Sequence, residues 1–481
     1  MNLEMYQQQF GQYQFMRNNV RKDFNRLHFH LMPPTGWMND PNGLCQFQGQ
    51  YHIYFQYTPF LAGWGMKLWG HYTSTDLINF EEQQPFLFPD TPWDRDGVYS
   101  GSAFVHEGQI HYFYTGNVKL TDQNYDYIMQ GREQNTIHLI SEDGFHYDGK
   151  ELVMTNQDYP ADFSKHVRDP KIYKHNDQFY MVLGARDGNS VGCVLVYRSA
   201  DLKSWEYFDT VTTEDPFGYM WECPDLFDVD GQTILMTCPQ GVAQQGNHYQ
   251  NVYQCGYFPV KHQDGKFLLE NFQELDYGFD IYAPQTFQDE KGRRILFAWM
   301  GIPDANYSTS KTVAFDWIHA LTMPRELFWK NGHLYQKPLD EMKKLRIDMH
   351  TCSVDNFGTW YPKECCYELT CKSKQGAFET FDIQLRDGAN FRYAHGLLTL
   401  QLSPECGAAR GTRTLECSEL YEYTIFSDTS AIEIFINEGQ YTFTTRVYSE
   451  HLNQPVRFVA CDQPAEVFAY TLSGYQVKYM A

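Results

Sequence analysis

PNGLCQFQGQYHIYFQY, residues 41–57, sets the pattern on which the fold is read. A proline and a turn open a short apolar run, a polar turn follows, and a strongly aromatic run closes the unit. The pattern returns four times. Gly101-Ser102-Ala103-Phe104 precedes GQIHYFYTG, Pro170-Lys171-Ile172-Tyr173 precedes NDQFYMVLGAR, Pro224-Asp225-Leu226-Phe227 precedes GQTILMTCPQ, and Pro284-Gln285-Thr286-Phe287 precedes GRRILFAWMG. The openings at 41, 101, 170, 224 and 284 are 54 to 69 residues apart, a spacing that belongs to repeat architectures. A third alternating run is visible in three units, at Trp69–Phe80, Thr136–Phe145 and Cys193–Trp205. Alternation broken by Asp and Gly turns predicts antiparallel meanders. Five meanders predict a five-bladed β-propeller; an open sandwich of many hairpins is the competing reading.

Beyond the repeats, LDEMKKLRI predicts a short amphipathic connector at 338–346. Strands then resume without the period, at Phe381–Gln384, Gly396–Leu402, Glu422–Phe426, Ala431–Ile436 and Tyr441–Val447. They predict a separate C-terminal β-sandwich, so the fold class is all-β, a propeller followed by a sandwich. The divisions read as a polar extension over 1–25, a propeller over 26–340, a linker over 341–350 and a sandwich over 351–481. The extension is Gln-rich without an apolar run, so it is either a short packed helix or a frayed arm. It matches neither a secretion signal nor a membrane span, and the chain reads as cytoplasmic.

The residues just before each opening carry the chemistry. Asp40 precedes the first and Asp169 the third; Cys223 precedes the fourth, with Glu222 one step back; Ser100 and Ala283 complete the set. First strands of a propeller converge on its axis, so three carboxylates from three blades meet at one end of the channel. Glycosidases need two carboxyl groups across the scissile bond, about 5–5.5 Å apart when they retain configuration. Proline after Asp40 and Asp169 biases both toward extended backbone, and Asn42-Gly43 adds a turn. Glu222 is one residue out of step, and neighbouring strand residues face opposite sides, so a bulge is needed to bring it inward.

The segments Trp37-Met38-Asn39-Asp40-Pro41-Asn42-Gly43, Arg168-Asp169-Pro170 and Glu222-Cys223-Pro224 strongly resemble glycoside hydrolase family 32. That family includes invertases, sucrose-6-phosphate hydrolases, inulinases and levanases. The resemblance continues through Trp69-Gly70-His71, Ser100-Gly101-Ser102-Ala103, Tyr282-Ala283-Pro284-Gln285 and Pro324-Arg325-Glu326-Leu327, from about His28 to the end. It implies a retaining β-fructofuranosidase with Asp40 as nucleophile, Glu222 as acid/base and Asp169, beside Arg168, as transition-state stabiliser. Asn39, Gln56, Trp64, Ser100, Tyr282 and Trp299 are the further fructose-pocket residues it implies. Cys223 reads as a neighbour that tunes Glu222. Tyr72, Tyr99 and the loop Gly65-Met66-Lys67-Leu68 depart from the family pattern near the pocket rim, which bears on the leaving group.

Sucrose 6-phosphate leads as substrate and sucrose accompanies it. The alternatives are an intracellular exo-acting fructo-oligosaccharide β-fructosidase, a transfructosylating enzyme, and, in another class, a non-catalytic sugar-binding propeller. A phosphate wants Arg or Lys at the rim, and Lys67, Arg95, Arg132 and Lys165 are the candidates. The mechanism needs no cofactor, and the 17 His show no metal-ligand spacing; His28 and His30 read as structural or pocket-lining. Twelve scattered Cys read as mostly buried free thiols. A net charge of -22 without a Lys/Arg cluster excludes a nucleic-acid partner. The partner is a small fructoside, with no membrane, and the sandwich is free to pack on the propeller or to mediate a homodimer.

Overall fold

The computed structural model describes residues 1–121, 126, 128–263, 265–309, 311–353 and 358–481. Each of the five repeats folds into its own antiparallel sheet. The first runs Gly36–Phe47, Gln50–Thr58, Leu68–Ser74 and Asn79–Leu87. The second runs Val98–His106, Gln109–Lys119, Arg132–Ser141 and Glu151–Met154; the third runs Phe163–His175, Gln178–Asp187, Gly192–Ser199 and Glu206–Val211. The fourth is built on Met220–Val229, Gln232–Gln240, Gly256–Gln263 and Lys266–Leu269, the fifth on Tyr282–Gln288, Arg294–Trp299, Arg325–Lys330 and His333–Pro338. The opening strands neighbour one another in chain order, and the fifth neighbours the first. Four of these five strands are buried over most of their length, and Val98–His106 over its first half.

All five opening strands carry one extra residue at the same place. Met38 pairs with Tyr57 and Pro41 with Phe55; Val98 with Gly116 and Gly101 with Tyr114; Arg168 with Gly184 and Lys171 with Val182. Glu222 pairs with Cys238 and Asp225 with Met236; Tyr282 with Trp299 and Gln285 with Phe297. Three steps on the opening strand therefore face two on its partner, the signature of a β-bulge. The ladder corrects the alignment made on the prolines. Asp40 shares its register with Pro170, whereas Asp169 shares its own with Asn39 and Cys223. Asp169 is also not extended: it has φ +63°, as Cys223 and Ala283 have +50° and +45°. The bulge overrides the bias that the following proline imposes. Gly184, opposite Arg168, is glycine because a Cβ there would lie 2.2 Å from the Trp221 carbonyl of the next sheet.

Residues 346 onward form two six-stranded sheets. One has the order Arg346–Ser353, Ala465–Leu472, Tyr367–Ser373, Glu422–Ser427, Ala431–Ile436, Tyr441–Arg446. The other has the order Thr359–Trp360, Val456–Cys461, Thr380–Arg386, Ala389–Ala394, Leu397–Leu402, Thr412–Glu416. Leu369, Ile425 and Ile434 of the first share one core with Ile383, Phe391 and Leu400 of the second. The connector is a 3-10 turn, Asp340–Leu345, and Arg346 already belongs to the first sheet. Arg346 is fixed there by Glu368 at 2.6 Å.

The N-terminal extension is packed, not frayed. Its helices, Leu3–Gln8 and Phe10–Val20, start on an Asn2 cap. Tyr13 donates to Glu82 at 2.6 and 2.8 Å, and the Arg17 guanidinium lies 3.4 Å from the centre of the Tyr479 ring. The C-terminal Gln476–Lys478 adds a parallel strand to the first sheet beside Asn79–Glu81. Eleven described cysteines are free, ten of them buried. No helix among the described residues is long and apolar enough to cross a membrane.

His30 sits where the N-terminal strap, the fifth sheet and the sandwich meet. Its ring nitrogens lie 2.8 Å from Asp428 and 2.9 Å from Glu433, all fully buried. Glu433 also accepts from Arg325, and Arg325 reaches Asp276 at 3.4 Å. Burial pulls the imidazole down, but hydrogen bonds to the two carboxylates outweigh it and raise His30. Burial raises Asp428 and Glu433, yet His30 holds Asp428, and Arg325 with His30 holds Glu433, below the usual range. His30→Gln leaves the two carboxylates without that cation, and breaking a buried pair costs about 3–5 kcal/mol. The His30 contribution is complete below its unfolded value of about 6.5 and is lost as pH rises through the raised folded value. Those of Asp428 and Glu433 are complete above about 4.3 and are lost as pH falls. Thermal melts should therefore show the largest wild-type advantage over His30→Gln between about pH 4.5 and 6.5, narrowing on either side.

Candidate active site

The bulges decide which side chains meet. Asp40 is half-buried on the first opening strand, Asp169 is buried on the third, and Glu222 is half-buried on the fourth. Ser100, from the second strand, donates to Asp40 Oδ2 at 2.5 Å, and Asn39 Nδ2 donates to Asp40 Oδ1 at 3.0 Å. Behind them, Gln56 donates to Ser100 at 2.8 Å and Trp37 Nε1 donates to Asn39 Oδ1 at 2.7 Å. Asn42 joins two strands: it donates to the Asp40 carbonyl and accepts from Gly101 N, each at 3.1 Å.

Glu222 is gripped through both oxygens. Arg168 Nη2 donates to Oε1 at 2.5 Å; Tyr282 OH at 2.5 Å and Gln240 Nε2 at 2.6 Å donate to Oε2. Arg168 in turn contacts His166 Nδ1 at 2.7 Å. Asp169 Oδ2 accepts from the Cys223 amide at 3.0 Å and lies 3.9 Å from Arg168 Nε. The Cys223 thiol sits 3.7 Å from both Asp40 Oδ2 and Asp169 Oδ2, bridging the two acids.

The acids feel one another. Burial raises Asp40, and the neighbouring Glu222 adds to it; Ser100, Asn39 and the Lys67 ammonium offset part. Burial pushes Asp169 up to about 7, Arg168 opposes, and Glu222 and Asp40 add to the rise. Burial beside Asp169 and Asp40 also raises the Cys223 thiol well above its usual value, so it stays protonated and is no nucleophile at neutral pH. Titratable groups pushed from their ordinary values in one cluster mark a working site.

Of the residues expected from sequence, Asn39, Ser100, Arg168 and Tyr282 touch the acids directly. Gln56 acts through Ser100. Trp299 is 3% exposed and packs behind, its ring 6.2 Å from those of Tyr282 and Trp37. Trp64 stands at the rim, 63% exposed. The four cations considered for a phosphate separate. Lys67 is buried beside Trp37 and Trp64, Arg95 is on the surface beside Asp96, and Lys165 is half-buried. Arg132 is not at the rim: it is buried and donates to Asn117 at 2.7 Å. Gln240 was not foreseen from sequence, because the end of a second strand carries no chemical signal. His28, Glu364 and Cys366 bring one donor atom each within 4.8 Å, a grouping that includes none of the three acids.

The glycosyl hydrolases family 32 N-terminal domain matches residues 30–338, and the family 32 C-terminal domain matches residues 351–473. The chain is 38% identical over 441 residues to a sucrose-6-phosphate hydrolase of Bacillus subtilis (strain 168), covering 89% of this chain and 90% of that one. Its structure resembles a sucrose-6-phosphate hydrolase from Lactobacillus gasseri, with TM-score 0.86, 28% identity and 97% and 96% of the two chains covered. It also resembles a family 32 β-fructofuranosidase of Bombyx mori, with TM-score 0.84, 29% identity and full coverage of both chains.

The electrostatics predict a stability effect independent of kinship. A carboxyl raised in the folded state destabilises the fold once the unfolded chain has ionised, from about pH 4 upward, and the cost levels off near pH 7. Asp169→Asn removes that cost. Thermal or urea unfolding should find the variant more stable by about 2–4 kcal/mol at pH 8, with the gain vanishing toward pH 4.

Proposed function

This chain belongs to the glycosyl hydrolases of family 32, and from that premise we propose that it hydrolyses the β-fructofuranosyl bond of sucrose 6-phosphate or sucrose by double displacement. The observation that carries the reading is the meeting of three carboxylates from three sheets, each held by a different set of donors. A sugar-binding protein needs hydroxyl partners; it has no use for acids gathered so that Glu222 raises both Asp40 and Asp169.

In this reading Asp40 is the nucleophile. Ser100 and Asn39 each occupy one of its oxygens and fix its orientation, which is what in-line attack on the anomeric carbon requires. Glu222 passes a proton to the departing oxygen as the fructosyl–Asp40 ester forms. It then takes a proton from the water that cleaves the ester, releasing fructose and restoring Asp40. Arg168, Tyr282 and Gln240 hold Glu222 to one place through both steps. Asp169 stands beside them to bind fructosyl hydroxyls and stabilise the oxocarbenium-like transition state, with Trp64 as the platform at the rim. We read the five sheets as five propeller blades around this site, with 26–340 as the catalytic unit and the sandwich after it. We place the enzyme in the cytoplasm, a setting in which its free thiols stay reduced.

Asp40→Asn and Glu222→Gln should each lower kcat on sucrose 6-phosphate by at least about 10³-fold while keeping a single cooperative melting transition. Full activity in Asp40→Asn would sink the assignment. The first fructose released should be the β-furanose by NMR. Parallel kinetics on sucrose, sucrose 6-phosphate and 1-kestose should give the highest kcat/KM on the phosphorylated disaccharide. A preference for 1-kestose would instead make the enzyme a fructo-oligosaccharide exo-hydrolase.

A further inference from the structure

Two lysines among the described residues are buried, and they are compensated differently. Lys171 has Asp225 at 3.3 Å and the Thr286 carbonyl at 2.6 Å. Lys67, 1% exposed, forms no salt bridge among the described residues; its Nζ donates to Thr58 Oγ1 at 3.2 Å. The centres of the Trp37 and Trp64 rings lie 4.6 and 4.7 Å from the ammonium. Those two rings meet edge to face, 6.1 Å apart. An ammonium without a carboxylate in contact is costly to bury, and ring faces compensate it only in part. A cost of that kind is retained where it serves the site.

The geometry leads from Lys67 to Asp40. The ring that Lys67 covers is Trp37, whose N–H holds Asn39, whose amide holds Asp40. A cation on the indole face draws electron density from the ring and strengthens the N–H as a donor. The backbone approaches from the other side as well. The Lys67 carbonyl accepts from Val98 N at 3.0 Å, two residues before Ser100, the second donor to Asp40. Few other charges face the ammonium. Asp40 on the first opening strand favours its charged form, and His319, kept neutral by burial, lies near enough to feel it. Asp40 itself is faced by Glu222, by Asp169 with Arg168, and by the Cys223 thiol.

We propose that Lys67 is a positioning residue for Asp40: its ammonium, fixed by Thr58 and bracketed by Trp37 and Trp64, keeps the carboxylate ionised and oriented for attack. This rests on the reading of Asp40 as nucleophile. Burial also draws the Lys67 ammonium down to about 7, with Asp40 opposing, so the cation is fully present on the acid side, where Asp40 needs it. The competing role, direct contact with a substrate phosphate, fits poorly with an Nζ that Trp64 screens from solvent.

The test is the pH profile of kcat/KM on sucrose, which carries no phosphate, for wild type, Lys67→Met and Lys67→Arg. Removing the charge raises the Asp40 pKa, so the acid limb of Lys67→Met should move up by about one pH unit, and its activity relative to wild type should fall as pH drops from 7.5, approaching about tenfold lower on the acid side of the limb. The change should fall on kcat more than on KM. Lys67→Arg keeps a permanent charge and should keep the wild-type limb. Thr58→Val, which removes only the hydroxyl anchor, should move the limb the same way by less, and it keeps the test decisive if Lys67→Met does not fold. An unmoved acid limb in the uncharged variant would overturn the proposal. So would a defect confined to KM for sucrose 6-phosphate. If Asp40→Asn is inactive while the limb stays put, the nucleophile reading stands and only this inference falls. If Asp40→Asn is active, both fall.

Discussion

One extra residue in each opening strand makes the site. A regular strand sends neighbouring side chains to opposite faces, so it presents every second residue to the centre. The bulge breaks that alternation at one level in all five sheets. Counting along the ladder, Glu222 is the last paired residue before the bulge, Asp169 is the first bulge residue and Asp40 is the second. Three carboxylates thus come from three successive positions, each on a different sheet. Five identical strands would have given five equivalent side chains in one ring; the bulge gives three distinct approaches to one point.

Collecting acids in a nearly dry place costs stability, and the structure divides that cost unevenly. Glu222 receives a guanidinium, a phenol and an amide. Asp40 receives a hydroxyl, an amide and, further off, a buried ammonium. Asp169 has one backbone amide, the Cys223 thiol at 3.7 Å and an arginine nearly 4 Å away, and burial pushes it up to about 7. The donors to Glu222 and Asp40 are fixed before substrate arrives, the condition for electrostatic preorganisation. Asp169, with fewer partners, has lone pairs left for a ligand's hydroxyls.

Much of this was legible in the sequence. The five openings mark five sheets because proline, glycine and aromatic runs act locally, within one hairpin. The acids stood out because they sit beside those openings. Register was not legible. Aligning on proline put Asp40 level with Asp169, whereas the ladder sets them one step apart, and hydrogen bonding to the second strand decides that. Long-range partners were equally hidden. Nothing near Gln240 announces Glu222, and nothing near Lys67 announces that two tryptophans close over it. Arg132 reads as a surface charge until its strand is seen to be central in its sheet.

A short strand from the fifth unit closes the ring of five sheets onto the first. Trp317–Ile318, within the fifth unit, runs parallel beside Gly36–Trp37 and joins the two sheets at the level of the site. The N-terminal strap then carries His30 into the pair Asp428 and Glu433 of the sandwich, and Arg325 of the fifth sheet binds Glu433 from the other side. Asp280, just before the fifth opening strand, holds Arg410 at 2.7 Å, and the C-terminal strand lies against the first sheet. Each bond joins parts of the chain far apart in sequence. The sandwich therefore acts as the clasp of the ring. Buried charges thus tie the fifth sheet, through the sandwich, to the segment that enters the first sheet and leads to Asp40.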